Sequence, residues 1–554
     1  MRHGLLGGSL RIFCGHDSLE WQDPEAEADC YLDLATTDDN QGALYLRGRL
    51  IDADPASSST HQIIRTWLRE CDMHHVQCRP PSQLVLPTRL VDVGTDNNSR
   101  VKLIHTRCGE LQNYVALSYC WGTAQTLATT RENLATYKDE IPFERLPKTI
   151  KDAITITRDL GIQFLWVDVL CIVQDSLDGE DWQRESAKMG DIYGNAYVTI
   201  AAENSESCND GFLHERNQAR AAPLQEIPLH LPNGELRGSV FICAPIVDED
   251  CFLMRRAWAF QEQRLSRRVL HYRTGGLNLC CREGTWFESV ALSFGNTLEH
   301  QHFNAIRPVS ISSRSQTENH RDWLRSIEVY SSRSMTKASD KLPAISGYAH
   351  EVHKSVGGLY LAGIWERYLA FGLLWVANKD ENSIPQASRE RAPSWSWAAI
   401  DGRVSYYWPL SRIKEESLLG PHLNLVSHQI NLNGLDPMGE VVEGALTVSG
   451  YLKKVSWLPP PSRSSGVSIT SSDTWYRFPE FEWGKCLFDC HNAEMPDNLW
   501  CLVVIMEMKS ANCLVLDHAG CEGKYRRVGL ARLRRVTDMQ ALLSSFDVST
   551  ITIV

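Results

Sequence analysis

The sequence predicts an α/β protein whose centre is a parallel sheet covered by helices on both faces. Three short apolar runs, at residues 114–119, 164–167 and 197–202, alternate with two segments of helical periodicity. The runs are largely apolar throughout instead of alternating with polar residues, which is typical of parallel strands packed between helices. Residues 114–202 are therefore predicted to form a βαβαβ unit.

The two connecting helices are predicted from periodicity and from the residues at their ends. The first spans residues 147–160, because Pro147 suits a first helical turn, apolar residues recur at spacings of three and four, and Gly161 stands where a left-handed residue ends a helix. The second is predicted to begin at Asp181, whose carboxylate would cap the amide hydrogens of the first turn.

Ligands of open α/β sheets bind outside the carboxyl ends of the strands, so the predicted site combines residues 118–122, residues 168–175 and the start of the second helix. The candidate residues after the first strand are Ser118, Tyr119, Trp121 and Gly122. A nucleotide could stack on the aromatic rings there while the backbone approaches closely at the glycine. In the alternative interpretation, Trp121 only caps the sheet edge and Gly122 only makes a turn.

A second group of candidates follows the second strand. Asp168 could bind a ribose hydroxyl, whereas Cys171 could be a thiolate nucleophile. That nucleophile would need a nearby histidine, and none lies between His105 and His214 in the sequence. We therefore expect Cys171 to be a buried apolar residue, and Asp168 and Gln174 to be hydrogen-bonding partners that hold the loop.

A third group, Cys71, His74, His75 and Cys78, has a spacing close to that of zinc ligands. A closed structural zinc site needs four ligands in tetrahedral geometry, and no second Cys or His pair follows at the customary distance. At helical pitch Cys71, His75 and Cys78 would share one face, as in a helix packed on a core. The sequence therefore predicts no metal here.

Long blocks of the chain resemble the fungal heterokaryon-incompatibility (HET) domain, in the order of that family. The blocks are YVALSYCWG from Tyr114, LPKTIKDAITITRDLGIQFLWVDVLCIVQD from Leu146, DWQRESAKMGDIYGNAYVTIAA from Asp181, and RAWAFQEQRLSRRVLHY from Arg256. The resemblance implies an effector of non-self recognition that promotes regulated, programmed cell death.

The HET domain is in turn similar to Toll/interleukin receptor (TIR) domains, some of which cleave NAD with a glutamate on a helix. The spacing from Trp182 to Glu185 is similar to the surroundings of that glutamate. This resemblance implies a three-layer, TIR-like or flavodoxin-like parallel sheet, Glu185 as the catalytic carboxylate, and NAD as a substrate with no resident cofactor. A carboxylate suits the reaction because positive charge builds on the ribose. In the alternative, Glu185 is a solvated residue near Arg184 or paired with Lys188.

The chain is long enough, at 554 residues of which 43% are hydrophobic, to hold several domains. We expect a mixed N-terminal extension at residues 1–100, the HET domain at 101–290, a helical connection at 291–340 and a β-rich C-terminal region at 341–554. The strands predicted in that last region are residues 444–452, 499–505, 513–516 and 548–554, with a proline- and serine-rich loop at 459–473.

The composition of the chain limits its expected cellular location and the classes of partner that it is expected to bind. A net charge of −12 without a basic stripe argues against nucleic-acid binding as the main function. The 17 scattered cysteines suit a reducing compartment, and neither a signal peptide nor a long apolar span is visible, so we expect a cytoplasmic protein with no membrane span. The expected partners are a nucleotide ligand, further copies of the chain or a sensor protein.

The sequence is compatible with three functions. The first is a cell-death effector that hydrolyses NAD. The second is a death-signalling module that acts by association without chemistry, and the third is a metabolic enzyme built on the same scaffold.

Overall fold

The computed structural model of the chain describes residues 9–12, 30–46, 48–81, 85–96, 99–107, 113–123, 127–216, 224–243, 251–289, 314–378, 391–406, 422–456, 476–477, 484–489, 498–507, 510–534 and 538–554. The chain divides into two compact units. One contains Met1–Met254 and Glu262–Val309, and the other contains Arg255–Gln261 and Ser310–Val554. Each unit is described by itself below.

The first unit contains twelve described strands and most of the described helices. The strands are β1 (Ser9–Ile12), β2 (Cys30–Ala35), β3 (Arg89–Asp92), β4 (Lys102–His105), β5 (Tyr114–Ser118), β6 (Phe164–Trp166), β7 (Val198–Ala202), β8 (Gln225–His230), β9 (Leu236–Cys243), β10 (Arg268–Arg273), β11 (Gly276–Cys281) and β12 (Thr285–Phe287). The helices are α1 (Ser58–His74), α2 (Leu134–Asp139), α3 (Lys148–Asp159), α4 (Asp168–Cys171), α5 (Glu180–Ser186), α6 (Met189–Asn195) and α7 (Ala259–Leu265), the last of which begins in the segment assigned to the second unit.

An eight-stranded mixed sheet forms the framework of this unit. Its strand order is β12-β11-β10-β7-β5-β6-β3-β4, and a separate four-stranded sheet has the order β1-β2-β9-β8. The pairs β5–β6, β5–β7 and β7–β10 are parallel, which confirms the predicted βαβαβ unit. The prediction of a parallel sheet is wrong for the flanks, because β3 and β11 pair antiparallel with their inner neighbours. Strand pairing across such sequence distances leaves no mark in the local pattern of either strand.

The strand order places β5 between β6 and β7, so the carboxyl ends of three parallel strands meet at one edge of the sheet. The strand β3 runs in the opposite direction, with Val91 opposite Leu165 and Asp92 opposite Phe164. The beginning of β3 therefore lies beside the end of β6. Residues that precede β3 consequently reach the same edge as residues that follow the parallel strands.

The crossover helix α3 follows the sequence prediction closely. Its buried face includes Ile150, Ala153, Ile154 and Thr157. Gly161 has a φ of +73°, and the amide hydrogens of Gly161 and Ile162 bond to the carbonyls of Arg158 and Thr157 at 2.8 and 3.1 Å. This pattern is the Schellman motif, which satisfies the last free carbonyls of a helix.

The second connection differs from its prediction in two respects. The single helix expected after Asp181 is divided into α5 and α6, with Lys188 between them. Asp181 is not the N-cap, because α5 already begins at Glu180 after Gly179, which has a φ of +69°. The Asp181 carboxylate is instead buried and pairs with Arg89.

The second unit is β-rich, as predicted. Its strands are β13 (Tyr360–Leu361), β14 (Ile364–Trp365), β15 (Trp375–Ala377), β16 (Val404–Tyr406), β17 (Leu423–Leu432), β18 (Val441–Val455), β19 (Tyr476–Arg477), β20 (Gly484–Phe488), β21 (Leu499–Glu507), β22 (Ser510–His518), β23 (Lys524–Arg534) and β24 (Asp547–Ile553). Its further helices are α8 (Gln316–Tyr330), α9 (Pro343–Val356), α10 (Leu369–Gly372) and α11 (Met539–Ser544).

The main sheet of the second unit has the order β17-β18-β21-β22-β23-β20-β19, and β24 pairs with β18 and β23. The predicted C-terminal strands thus all occur; the first three have longer bounds, and the last is shifted by one residue. The predicted loop at 459–473 lies outside the described residues, as does part of the helical connection predicted at 291–340. Within the described ranges, no helix combines the length and the apolar character that crossing a membrane would require.

Candidate functional site

Trp121 and Asp168 meet at the carboxyl edge of the parallel strands. The indole Nε1 of Trp121 donates a hydrogen bond of 2.9 Å to Oδ2 of Asp168. The other carboxylate oxygen, Oδ1, accepts a hydrogen bond of 2.7 Å from the backbone amide of Val169, in the first turn of α4. Both side chains are partly exposed, so this pair can be reached from solvent.

Gln174 holds the loop that follows α4. Its Nε2 donates to the carbonyl oxygens of Asp168 and Ile172 at 3.3 and 3.1 Å, and its backbone amide donates to the carbonyl of Thr129 at 2.9 Å. The side chain is exposed beside these contacts. Gln174 therefore fixes the position of the loop next to Asp168 and still presents an amide group to solvent.

The other residues after β5 are more enclosed. Ser118 is fully buried, and its hydroxyl donates a hydrogen bond of 2.5 Å to Glu262. Tyr119 is also buried. Gly122 is exposed and has a φ of +72°, and a Cβ atom built there would lie 2.8 Å from Cβ of Ser207. Of the predicted residues in this segment, Trp121 and Gly122 are thus the two that solvent reaches.

Glu185 is fully buried, so it is not a solvated helix residue, but the pairing with Lys188 that the alternative interpretation included does occur. Its Oε1 accepts hydrogen bonds from the hydroxyl of Thr88 at 2.6 Å and from Nζ of Lys188 at 3.3 Å. Its Oε2 has no hydrogen-bond partner among the described residues. Thr88 directly precedes β3, so Glu185 lies near the end of β6. A buried carboxylate oxygen without a donor is costly, so this atom requires a partner such as a water molecule, an ion or a ligand.

Cys171 has no features of a nucleophile. Burial raises the pKa of its thiol to about 12, and the negative charges of Asp168 and Glu185 act in the same direction. The thiol is therefore neutral at physiological pH, as the sequence predicted for a buried apolar residue. Both carboxylates are therefore within electrostatic reach of Cys171.

A buried ion pair fixes the connection between α4 and α5. The Nε of Arg89 donates to the carbonyl of Cys171 at 2.7 Å, and its terminal nitrogen pairs with the carboxylate of Asp181. The same carboxylate accepts a hydrogen bond of 2.8 Å from the amide of Val173. Burial alone would raise the pKa of Asp181, but these donors outweigh burial and lower it. The charged pair thereby positions the helix that carries Glu185.

A second cluster at the same edge was not predicted from the sequence. Glu203 directly follows β7, and its two carboxylate oxygens lie 2.6 Å from Nδ1 of His271 and 2.6 Å from Nε of Arg273. Burial opposes the charge of Glu203, but Arg273 and His271 outweigh it and hold the pKa of Glu203 at about 2. The feature of the sequence that could have indicated this cluster is the position of Glu203 directly after a predicted strand. Its partner His271 lies 68 positions farther along the chain.

Comparison with known proteins assigns the central part of the first unit to a family. Residues 114–262 match the family model described as Heterokaryon incompatibility protein (HET). No curated protein and no solved structure matches the chain. The match begins at the first residue of β5 and includes each predicted site residue from Ser118 to Glu185. The prediction of a HET domain is thus confirmed.

Proposed function

We propose that this protein is an effector of heterokaryon incompatibility that promotes regulated cell death in a fungus, and that its HET domain acts by hydrolysing NAD. The family match over residues 114–262 supports the first part. One observation carries the second part: Glu185 is a buried carboxylate whose Oε2 accepts no hydrogen bond from any described residue. A hydroxyl of a bound ribose would supply the missing donor.

The chemistry of the reaction matches a buried carboxylate. The bond between the ribose C1′ and the nicotinamide nitrogen breaks, its electron pair leaves with nicotinamide, and positive charge develops on the ribose. Water then adds to C1′ and releases a proton. A fixed negative charge in a site with little water stabilises such a cation far more than the same charge in bulk water does. Glu185 is placed to provide that charge.

Neighbouring residues would hold the rest of the nucleotide. The indole of Trp121 offers a ring for stacking, and the Asp168 carboxylate that it orients can accept a hydrogen bond from a second hydroxyl. Lys188 lies 3.3 Å from Glu185 Oε1, and its side chain is 39% exposed. Movement of Lys188 towards a substrate pyrophosphate would open the way to Glu185 and bring a positive charge to the phosphates.

A second candidate function is a non-enzymatic association module, and one observation favours it. Glu185 is 0% exposed and is already held by Thr88 and Lys188, as a structural carboxylate would be. In that case Trp182, which is 37% exposed on the same helix, is a surface that a second copy or a sensor protein could cover. For both candidate functions, the proposed cellular location of the protein is the cytoplasm.

Two measurements on the full chain separate the candidates. Purified protein is incubated with NAD and nicotinamide release is followed by chromatography, while the same chain is expressed in a filamentous fungus and viability is scored. An enzymatic effector releases nicotinamide and kills. An association module kills without release at any protein concentration. If the expressed, folded chain does neither, the proposed cell-death role is wrong.

A further inference from the structure

Four metal-binding side chains converge beside the end of β11. They are Cys71 in the last turn of α1, His75 at the end of that helix, Cys78 in the following short 3-10 turn, and Cys281 as the last residue of β11. One ligand atom from each lies within 4.8 Å of the ligand atoms of the other three. We propose that these four residues bind one Zn²⁺ ion in a closed structural site.

The fourth ligand is the one that local sequence spacing did not reveal. Nδ1 of His75 lies 3.1 Å from Sγ of Cys281, although the two residues are 206 positions apart in the chain. The antiparallel β10–β11 pair brings Cys281 to the last turn of α1. The expectation that the site lacks its fourth ligand is therefore corrected. His74, the other histidine of the segment, is exposed and does not belong to the cluster.

The backbone brings Cys71, His75 and Cys78 together at the end of α1, and the three residues do not lie along one face of a helix. The helix α1 ends at His74, and His75 is extended, with φ of −99° and ψ of 100°. The 3-10 turn at Val76–Cys78 then reverses the chain, with the amide of Cys78 bonded to the carbonyl of His75 at 3.2 Å. The shared helix face expected for Cys71, His75 and Cys78 does not exist, because Cys78 lies beyond the helix.

The distances and the donor atoms fit zinc. Tetrahedral zinc with Zn–S bonds of about 2.3 Å and Zn–N bonds of about 2.0 Å places three sulfur atoms and one nitrogen atom roughly 3.5–3.8 Å apart. The observed separations, none above 4.8 Å, need only small side-chain rotations to reach that range. Three sulfur atoms and one imidazole nitrogen suit zinc, whereas magnesium and calcium prefer oxygen ligands. Four protein ligands leave no open position, which is typical of a structural site.

Hydrogen-bond donors around the sulfur atoms favour thiolates. Nε of Arg268 lies 3.0 Å from Sγ of Cys71, and the backbone amides of Glu283 and Gly284 lie 3.4 and 3.2 Å from Sγ of Cys281. Three thiolates and one Zn²⁺ carry a net charge of −1 and lie beside the buried guanidinium of Arg268, which also pairs with Asp72. Binding of the ion releases the three thiol protons.

The site would act as a cross-link within the first unit. Three ligands precede residue 114 and the fourth follows residue 262, so the ion closes a loop of chain that contains the whole HET match. It would fasten the end of α1 to β11 beside Trp286, whose ring centre lies 5.1 Å from that of His75. Removal of the ion should therefore destabilise the fold of the HET domain. This inference does not depend on NAD hydrolysis.

The test is the zinc content of the full chain, purified under reducing conditions and measured by mass spectrometry of the metal. We expect one zinc ion per chain in the parent. His75→Ala and Cys281→Ser should lose most of the zinc. Their matched controls, His74→Ala at the neighbouring exposed histidine and Cys521→Ser at an exposed thiol, should keep it.

A second measurement covers the case in which the ligand variants do not fold. The parent is loaded with Co²⁺ in place of zinc, and the absorption bands of tetrahedral cobalt with sulfur-to-metal charge transfer should appear and then vanish when zinc is added. The proposal is overturned if the reduced parent shows neither stoichiometric zinc nor these bands. It is equally overturned if both folded ligand variants retain zinc.

Discussion

The side chain of Trp121 binds that of Asp168 through a hydrogen bond of 2.9 Å, and this contact joins the segments that follow two neighbouring parallel strands, β5 and β6. The contact orients a carboxylate at the edge where open α/β sheets bind their ligands. The hydrogen bond thus gives a shared structural role to an aromatic and an acidic residue that stand shortly after these strands.

Loss of this hydrogen bond should be measurable without disruption of the core. Replacement of Trp121 by Phe keeps an aromatic ring and removes the donor, so we expect the free energy of unfolding to fall by about 1 kcal/mol. Denaturant titration of the purified chain provides the measurement. Trp182→Phe makes the same change at an exposed position of α5 and is the control, with the smaller expected loss of stability. Equal stability of both variants would show that the Trp121 contact contributes nothing.

The buried pair between Arg89 and Asp181 should contribute much more than an exposed pair. Asp181→Ala leaves the Arg89 charge buried without its partner, and we expect a loss of about 3–5 kcal/mol in the free energy of unfolding. Glu144→Ala breaks an exposed pair with Lys151 and should cost about 0–1 kcal/mol. The interpretation of Asp181 as the residue that positions α5 fails if the two variants are equally stable.

Gly122 and Gly161 have nearly the same positive φ, so substitutions at these two positions can distinguish the cost of backbone strain from the cost of a steric contact. Gly161 has open space where the Cβ atom of an alanine would lie, so Gly161→Ala should cost about 1 kcal/mol through its positive φ alone. At Gly122 the new methyl group would also lie 2.8 Å from Cβ of Ser207, so Gly122→Ala should cost about 1–3 kcal/mol more. Thermal unfolding of the two variants checks the difference, and equal losses would contradict the close approach.

The Glu203 and His271 pair predicts the pH dependence of stability. Burial disfavours the charged imidazole, but the negative charges of Glu203 and Cys280 outweigh burial and raise the pKa of His271 from 6.5 to about 9. The contribution of charged His271 to the free energy of unfolding is therefore complete below pH 6.5 and is lost as the pH rises towards about 9. The pKa of Glu203 is lowered from 4.5 to about 2, so its contribution is lost only as the pH falls below 4.5 towards about 2.

The measurement is the free energy of unfolding between pH 6 and pH 9, for the parent and for His271→Gln. The parent should lose stability across this window, whereas the variant, which is less stable at pH 6, should lose less. His74→Gln, at an exposed histidine, should keep the slope of the parent. Parallel curves for the parent and His271→Gln would show that His271 is not charged in the folded protein.

Local sequence patterns were sufficient for the elements that form from short-range contacts. The strands β5, β6 and β7, the helix α3 and its Gly161 end, and the four predicted strands β18, β21, β22 and β24 follow from apolar runs, spacing and turn residues. Trp121 and Asp168 were placed at one edge for the same reason, since parallel strands end together. These features depend on neighbours in sequence or on a general rule of topology.

The features that sequence reasoning missed depend on residues far apart in the chain. Asp181 was mistaken for a helix cap because its partner Arg89 lies 92 positions earlier. Ser118 was expected to face a ligand, but Glu262, 144 positions later, accepts a hydrogen bond from its hydroxyl. Cys281, the fourth ligand of the proposed zinc site, follows the HET match in the sequence, whereas the other three ligands precede it. Such contacts require the register of strand pairs, which no single segment specifies.

Nicotinamide release by Glu185→Gln tests the central claim most directly. The substitution keeps the size of the side chain and its contact with Thr88 and removes the charge. Glu180→Gln makes the same change at an exposed position of the same helix and is the matched control. We predict that the parent and Glu180→Gln release nicotinamide from NAD at equal rates, and that folded Glu185→Gln is slower by about a hundredfold or more. Release by Glu185→Gln at the parental rate, or no release by the parent, would contradict the account.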